Sequence, residues 1–232
     1  MEKPQLFLLH FAGGNTYSFQ FMIPLLNEFD VVPLELPGRG KRIKEDLLKD
    51  FDSAATDLYN QVLKGLKSHK FLIYGHSMGA CLALRVSSML ERSNKFPIHI
   101  IVSGNAGPGV KNDKIRYLLK RDDFIKELET LGGVPTELIE NEELFNFFEP
   151  ILRADFELLE TTELLNEPVI NTPIYAIMGN KELKVKEISN WAKFTKSHFN
   201  CEIMDGDHFF IQHHPEKIVQ IIKNCYDYTA LL

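Results

Sequence analysis

The stretch LIYGHSMGA, Leu72 to Ala80, decides the fold class. Its centre, GHSMG at residues 75–79, fits the pattern G-x-S-x-G. An apolar strand pattern enters it and an amphipathic helix pattern leaves it, which is the context of a nucleophile elbow. Such a turn must be very tight to expose the serine hydroxyl at a helix N-terminus, and glycines two residues either side of Ser77 remove side chains that would collide there. We therefore predict that Ser77 is a nucleophile; the alternative is a structural serine in a glycine-rich turn.

Short apolar runs surround this stretch and alternate with helical patterns. They are rich in Ile, Leu, Val and Phe, as expected for strands covered on both faces. The predicted strands are 6–11, 31–36, 70–75, 98–104 and 173–179, with a weaker sixth at 201–206. The predicted helices are 53–67, 78–92, 186–196 and 215–228. This alternation predicts one α/β domain over residues 1–232, with a mostly parallel sheet flanked by helices.

One region breaks the alternation. Residues 112–167 show helical patterns throughout and contain no strand candidate. An all-helical insert between two strands of an α/β sheet is typical of a lid over a site. The alternative is a set of ordinary connecting helices.

Composition narrows the class of protein. The chain has 232 residues, 44% hydrophobic and 25% charged, and its net charge of −6 argues against nonspecific nucleic-acid binding. Three cysteines at unrelated spacings form neither a disulfide framework nor a metal motif, and they indicate free thiols in a reducing compartment. The first apolar run is too short for a signal peptide, and no run approaches a membrane span. We therefore expect a cytoplasmic protein, without a metal or membrane contact, and no feature demands more than a monomer.

A candidate base follows the weak sixth strand, in DGDHFFIQHHPEKI, Asp205 to Ile218. In this class of fold the histidine lies on a loop after the last strand, because the chain order is serine, acid, histidine. His208 has that position. His213 and His214 are alternatives, but they lie beside the start of the final helix, where capping roles are common. We predict that His208 takes the proton of the serine hydroxyl.

Acyl transfer also needs two backbone N–H donors aimed at an oxyanion. One should be the N–H of Met78, directly after the nucleophile. The other should come from the glycine-rich loop HFAGG, residues 10–14, after the first strand. Its position in that turn favours Ala12 as the donor, although such a loop also occurs as a simple tight turn.

These and other motifs resemble the type II thioesterases, the stand-alone editing enzymes of nonribosomal peptide and polyketide synthases. The similar stretches lie in the family's order over nearly the whole chain: HFAGG, LELPGRG, YGHSMGA, LGGVPTEL, ILRADFELLE and GDHFF. The resemblance implies an α/β-hydrolase fold with a helical lid. It implies hydrolysis of thioesters on the phosphopantetheine arm of acyl or peptidyl carrier proteins, without a cofactor bound to the enzyme.

The sequence departs from the family at the acid. The family resemblance implies the pattern G-x-x-D after the fifth strand, with the aspartate three residues beyond the glycine. Here the third residue beyond Gly179 is Glu182. The resemblance therefore implies a Ser-His-Glu triad, in which a longer side chain must fold back or the loop must retreat. Asp205 and Asp207 remain alternatives, and a further acid position of related hydrolases holds Asn105.

The insert divides by charge. Residues 111–126 carry six basic and three acidic side chains, whereas residues 127–163 carry eleven acidic ones and a single arginine. Because carrier proteins are typically acidic where they dock, we hypothesise that Lys114, Arg116 and Lys120 contact the carrier. The alternative is a solvated helical face. Residues 144–152, LFNFFEPIL, line an acyl chamber or form the core of the lid.

Two other functional classes remain open from the sequence. A small-molecule carboxylesterase or lipase would use the same triad, and only the lid motifs argue against it. A noncatalytic carrier-binding protein is suggested by the replacement of the acid.

Overall fold

The computed structural model describes residues 3–110 and 114–228. Its strands form one six-stranded sheet in the order β2-β1-β3-β4-β5-β6, and every neighbouring pair is parallel. The strands are β1 (Gln5–Leu9), β2 (Asp30–Pro33), β3 (Phe71–His76), β4 (Ile100–Ser103), β5 (Ile174–Gly179) and β6 (Phe199–Met204). All six predicted runs form strands, with ends displaced by up to three residues. The prediction of a parallel α/β sheet is confirmed.

The helices are α1 (Phe51–Gly65), α2 (Met78–Arg92), α3 (Arg121–Leu131), α4 (Thr136–Glu140), α5 (Glu142–Glu160) and α6 (Pro215–Tyr228). The helix expected at 186–196 is instead a 3₁₀ helix, Val185–Phe194. Across the described parts of the chain, none of these helices has both the length and the apolar character needed to cross a membrane.

Both faces of the sheet are covered, as the continuous apolar strands predict. Successive side chains of β1 point to opposite faces. Phe7 and Leu9 join a core with α1 and α2, and the neighbouring residues Leu6 and Leu8 join a second core with α6. The strands are parallel, so their carboxyl ends lie at one edge of the sheet, and the loops of the site follow these ends.

Helices α3 to α5 lie in the chain between β4 and β5 and have a small core of their own, formed by Phe124, Leu128, Phe145 and Leu152. Within LFNFFEPIL, Phe145 and Ile151 are buried, whereas Leu144 and Phe147 are about half exposed, at 46% and 52%. The segment therefore supplies core on one face, and its other face is open.

The charges of the insert do not all face solvent. Arg116 is buried and pairs with Glu127 and Glu160, both at 3.1 Å, and Lys114 pairs with Glu127 at 2.5 Å. Arg116 thus links parts of the insert through ion pairs. Its predicted role in docking is wrong, because a buried, paired guanidinium cannot contact a partner protein. Lys114 and Lys120 are exposed, and Lys111 lies outside the described residues.

Candidate active site

The turn between β3 and α2 places Ser77 at the carboxyl edge of the sheet. Ser77 has φ 55° and ψ −111°, a conformation that non-glycine residues rarely adopt, and its N–H donates to the carbonyl of Ser103 at 2.8 Å. Helix α2 begins at the next residue, Met78. Backbone strain of this kind persists only where the surroundings hold it and is concentrated at functional sites.

The flanking glycines are required by close backbone packing. A Cβ on Gly75 would lie within 3.0 Å of the Gly79 carbonyl, and a Cβ on Gly79 would lie within 3.0 Å of the Leu9 and His10 carbonyls. Helix α2 can therefore approach β1 and β3 only because both positions lack a side chain. This explains the G-x-S-x-G spacing in terms of contact distances.

The three predicted side chains form one hydrogen-bonded chain. His208 Nε2 lies 2.9 Å from Ser77 Oγ, and His208 Nδ1 lies 2.9 Å from Glu182 Oε2. A carboxylate can only accept, so Nδ1 carries a proton and Nε2 is free to accept from the serine hydroxyl. Of the alternatives, His214 is engaged elsewhere, with its Nε2 on the Asp205 carbonyl at 2.7 Å. The catalytic roles of the three residues remain predictions.

The loop after β5 shows how a glutamate fits. Glu182 N–H donates to the Gly179 carbonyl at 3.1 Å, which closes a turn, and Gly179 N–H donates to Glu182 Oε1 at 2.8 Å. The side chain is folded back over its own turn, and its second oxygen faces His208. The extra methylene is thus accommodated by the side chain.

The rival polar groups have other partners. Asp205 accepts from the Asn180 side chain at 2.9 Å, and Asp207 accepts from the Phe209 N–H at 2.9 Å. Asn105 accepts from the Gly107 N–H at 2.7 Å. None of these contacts reaches the imidazole, so Glu182 is the carboxylate at His208.

The loop after β1 forms a tight turn beside the elbow. Gly14 N–H donates to the Phe11 carbonyl at 2.9 Å, and Gly13 has φ 76°, as the third residue of a type II turn requires. Ala12 is the second residue of this turn. Met78 is the first residue of α2, where backbone N–H groups have no acceptor within the helix. The assignment of these two N–H groups to an oxyanion hole remains a prediction.

Aromatic rings around His208 were not singled out from the sequence. The Phe209 ring lies 5.2 Å from the His208 ring and 5.0 Å from that of Phe11. A Cβ on Gly133 of the insert would overlap the Phe209 ring. The insert therefore packs directly against the residue next to His208. The sequence signals were the paired glycine of LGGVPTEL and the phenylalanines of HFAGG and GDHFF, to which no role was assigned.

Buried groups near the site stay neutral. Burial, and to a lesser degree the charge of His208, lower the pKa of His76 well below its ordinary value. His76 Nδ1 lies 2.8 Å from Ser103 Oγ, and its ring lies 5.1 Å from that of His208. Burial also raises the pKa of the Cys81 thiol to about 12, so Cys81 is a packing residue and no rival nucleophile.

Comparisons with known proteins agree with the fold. Residues 4–226 match the family model described as the thioesterase domain. The chain is 31% identical over 229 residues to linear gramicidin dehydrogenase LgrE of Brevibacillus parabrevis, with 94% of this chain and 86% of that protein covered. That protein's name refers to a dehydrogenase. The present sequence, however, contains no G-x-G-x-x-G fingerprint of dinucleotide binding.

Two solved structures are also similar. The structure of ClbQ from the colibactin NRPS/PKS pathway has a TM-score of 0.91 and 26% identity, with 99% of each chain covered. The type II thioesterase BorB from the borrelidin biosynthetic cluster has a TM-score of 0.88 and 28% identity, with 97% of this chain and 93% of that chain covered. The fold, the family model and these neighbours agree with the resemblance drawn from the sequence.

Proposed function

This chain belongs to the thioesterase family and is a hydrolase acting on thioesters, and from that premise we propose that it is a stand-alone editing enzyme. It removes wrongly loaded or stalled acyl groups from the phosphopantetheine arm of carrier proteins in a nonribosomal peptide or polyketide synthase. The observation that carries the chemistry is the chain from Ser77 Oγ through His208 to Glu182, with both hydrogen bonds at 2.9 Å.

Acylation begins when His208 Nε2 takes the proton of Ser77 Oγ as the oxygen attacks the thioester carbonyl carbon. Glu182 accepts from His208 Nδ1, holds the productive tautomer and stabilises the imidazolium. The N–H groups of Ala12 and Met78 donate to the tetrahedral oxyanion. The C–S bond then breaks, and His208 returns the proton to the departing thiol of the phosphopantetheine arm.

Deacylation repeats these steps with water. His208 Nε2 takes a proton from a water molecule, whose oxygen attacks the acyl ester of Ser77. The oxyanion is held by the same two N–H groups. On collapse the bond between the acyl carbon and Ser77 Oγ breaks, His208 Nε2 gives its proton to Ser77 Oγ, and the carboxylic acid is released. Protein groups supply every proton transfer, so the proposed reaction needs no cofactor bound to the enzyme.

The partner in this proposal is an acyl or peptidyl carrier domain, and the enzyme acts as a cytoplasmic monomer. Cys81, Cys201 and Cys225 form no disulfide, which is compatible with a reducing compartment. Names of similar structures support the partner, since ClbQ is attributed to an NRPS/PKS pathway.

The test compares two substrates with the same acyl group. Acetyl-S-phosphopantetheinyl carrier protein and p-nitrophenyl acetate are each hydrolysed by wild type and by Ser77→Ala. A kcat/KM that favours the carrier and is lost in Ser77→Ala supports the proposal. A higher kcat/KM for the small ester would instead favour a carboxylesterase, and a Ser77 inert to fluorophosphonate would favour a noncatalytic binding protein.

A further inference from the structure

A buried ion pair joins the helical insert to the loop after β2. Asp155 of α5 is fully buried and Arg39 is 3% exposed. Arg39 Nη1 donates to Asp155 Oδ2 at 2.6 Å and Nη2 donates to Oδ1 at 2.7 Å, a bidentate arrangement. A carboxylate and a guanidinium are costly to bury, so a pair in this position needs further hydrogen bonds to be tolerated.

Those further hydrogen bonds come from the turn beside the nucleophile. Gly13 N–H donates to Asp155 Oδ2 at 2.7 Å, and Arg39 Nη1 also donates to the Gly14 carbonyl at 3.3 Å. Leu152 lies one helical turn before Asp155 in α5 and packs against Gly13. A Cβ on Gly13 would lie only 2.5 Å from a methyl group of the Leu152 side chain. The ion pair and α5 thus hold the turn that contains Ala12.

The contact fixes one peptide plane. Type I and type II turns differ mainly in the orientation of their central peptide, here the one between Ala12 and Gly13. Because the Gly13 N–H donates to Asp155 of α5, its direction is defined. A change to the other turn type would turn this N–H away and break the buried hydrogen bond. An unmade buried hydrogen bond is expensive, so Asp155 selects one form of the turn.

We propose that Asp155, with its charge balanced by Arg39, is a positioning residue for the oxyanion hole. Its carboxylate anchors the turn at Gly13, directly after Ala12, and the bond from the Gly14 N–H to the Phe11 carbonyl closes the turn around Ala12. The backbone on both sides of Ala12 is thereby restrained, and with it the N–H that meets the oxyanion. The same bond makes correct placement of that donor depend on α5 being seated on the turn. This inference rests on the proposed function, since it assigns Ala12 to the oxyanion hole.

The test isolates the bond to Gly13 from the charge pair. In an Arg39→Met background, Asp155→Asn keeps a carbonyl oxygen as acceptor, whereas Asp155→Leu has nearly the same size and no acceptor. Four quantities are measured: kcat and KM for acetyl-S-N-acetylcysteamine, the rate constant for inactivation by a fluorophosphonate, and the midpoint of thermal unfolding.

We expect the Leu variant to lose at least about tenfold in kcat and in inactivation rate relative to the Asn variant, with KM within about twofold. Removal of a whole oxyanion donor costs about 100- to 1000-fold, and a misplaced donor costs less. The two variants should unfold at similar temperatures, because each leaves a buried donor unmade: the Gly13 N–H in the Leu variant and the side-chain NH2 in the Asn variant. A purely structural role would move the unfolding midpoint and leave the rates alike.

The outcomes separate this inference from the proposed function. If the fluorophosphonate labels Ser77 in wild type and the Asn and Leu variants then react at the same rate, only the positioning role is wrong. If the reagent does not label wild-type Ser77 at all, the proposed function fails, and the positioning role fails with it.

Discussion

Two hydrogen bonds join Glu182 and Gly179: Glu182 N–H donates to the Gly179 carbonyl, and Gly179 N–H donates to Glu182 Oε1. The first bond closes the turn after β5, and the second anchors one oxygen of the carboxylate at 2.8 Å. The other oxygen is thereby fixed 2.9 Å from His208 Nδ1. The glutamate is therefore held by its own backbone turn, and its length is matched to that turn.

This geometry predicts that Glu182→Asp is harmful, although aspartate is the residue that the family resemblance leads one to expect. An aspartate in the same turn cannot bond Gly179 and His208 together, because it is one methylene shorter. We expect kcat to fall by about 10- to 100-fold, the range that displacement of a catalytic group by about 1 Å can cost. Steady-state kinetics on acetyl carrier protein would measure this fall in kcat. A Glu182→Asp variant with the kcat of wild type would contradict the prediction and show that the loop moves to bring the shorter carboxylate to His208.

The close approach of α2 to β1 predicts that Gly79→Ala is strongly destabilising. An added Cβ would meet two backbone carbonyls, which cannot move aside as a flexible side chain can. Overpacking of this kind costs about 1–3 kcal/mol or more. Urea unfolding would measure the loss, with Gly65→Ala as a control, since its Cβ would meet no atom closer than 3.5 Å. Equal stabilities of the two variants would contradict the packing account.

Lys120, an exposed lysine of the docking hypothesis that has no ion pair among those found in the described residues, predicts a charge effect on carrier binding. Lys120→Glu should raise KM for acetyl carrier protein several-fold at low salt and leave p-nitrophenyl acetate hydrolysis unchanged, because rim charges act chiefly on encounter with a charged partner. Lys95→Glu is the matched control, an exposed lysine between α2 and β4. Equal effects of the two variants, or an effect on the small ester, would contradict docking at Lys120.

Three buried histidines predict a loss of stability in mild acid. Burial lowers the pKa of His10 and His99 to about 4 and that of His76 well below 6.5. The unfolded chain binds protons near pH 6.5 while the folded chain does not, so the stability they contribute is present above that pH and declines as pH falls towards 4. Each histidine should lower the free energy of unfolding by about 2 kcal/mol between pH 7 and pH 5.

His99→Leu checks this account, because His99 lies away from Ser77 at the start of β4. The variant should lose about a third of the decline in unfolding free energy between pH 7 and pH 5 if the three histidines contribute equally. Denaturant titrations at the two pH values would measure it. A decline as steep as in wild type would mean that other groups cause it.

Local patterns predicted the fold well, since strand runs and the elbow depend on nearby residues. All six strands were identified, and α2 begins and ends at the predicted residues. Ser77, His208 and Glu182 also came together as their positions in the chain order implied. These features follow from spacing, which a sequence displays directly.

Features made by distant residues were missed. Arg116 looked like a surface charge because the sequence does not show that Glu127 and Glu160 surround it. Asp155 looked like one of many acidic residues in the insert, and its contacts with Arg39 and Gly13 lie 116 and 142 positions away in the chain. Pairings over such separations are set by tertiary packing, and no local periodicity encodes them.

The central claim is that Glu182 completes a triad that hydrolyses carrier-bound thioesters. The most direct test is the kcat for acetyl-S-phosphopantetheinyl carrier protein of wild type, Glu182→Ala and the matched control Asp205→Ala. The account predicts that Glu182→Ala lowers kcat by about 1000- to 10,000-fold, as loss of the histidine's carboxylate does in other triads, whereas Asp205→Ala stays within about threefold of wild type. Full activity of Glu182→Ala, or an equal loss in Asp205→Ala, would contradict it.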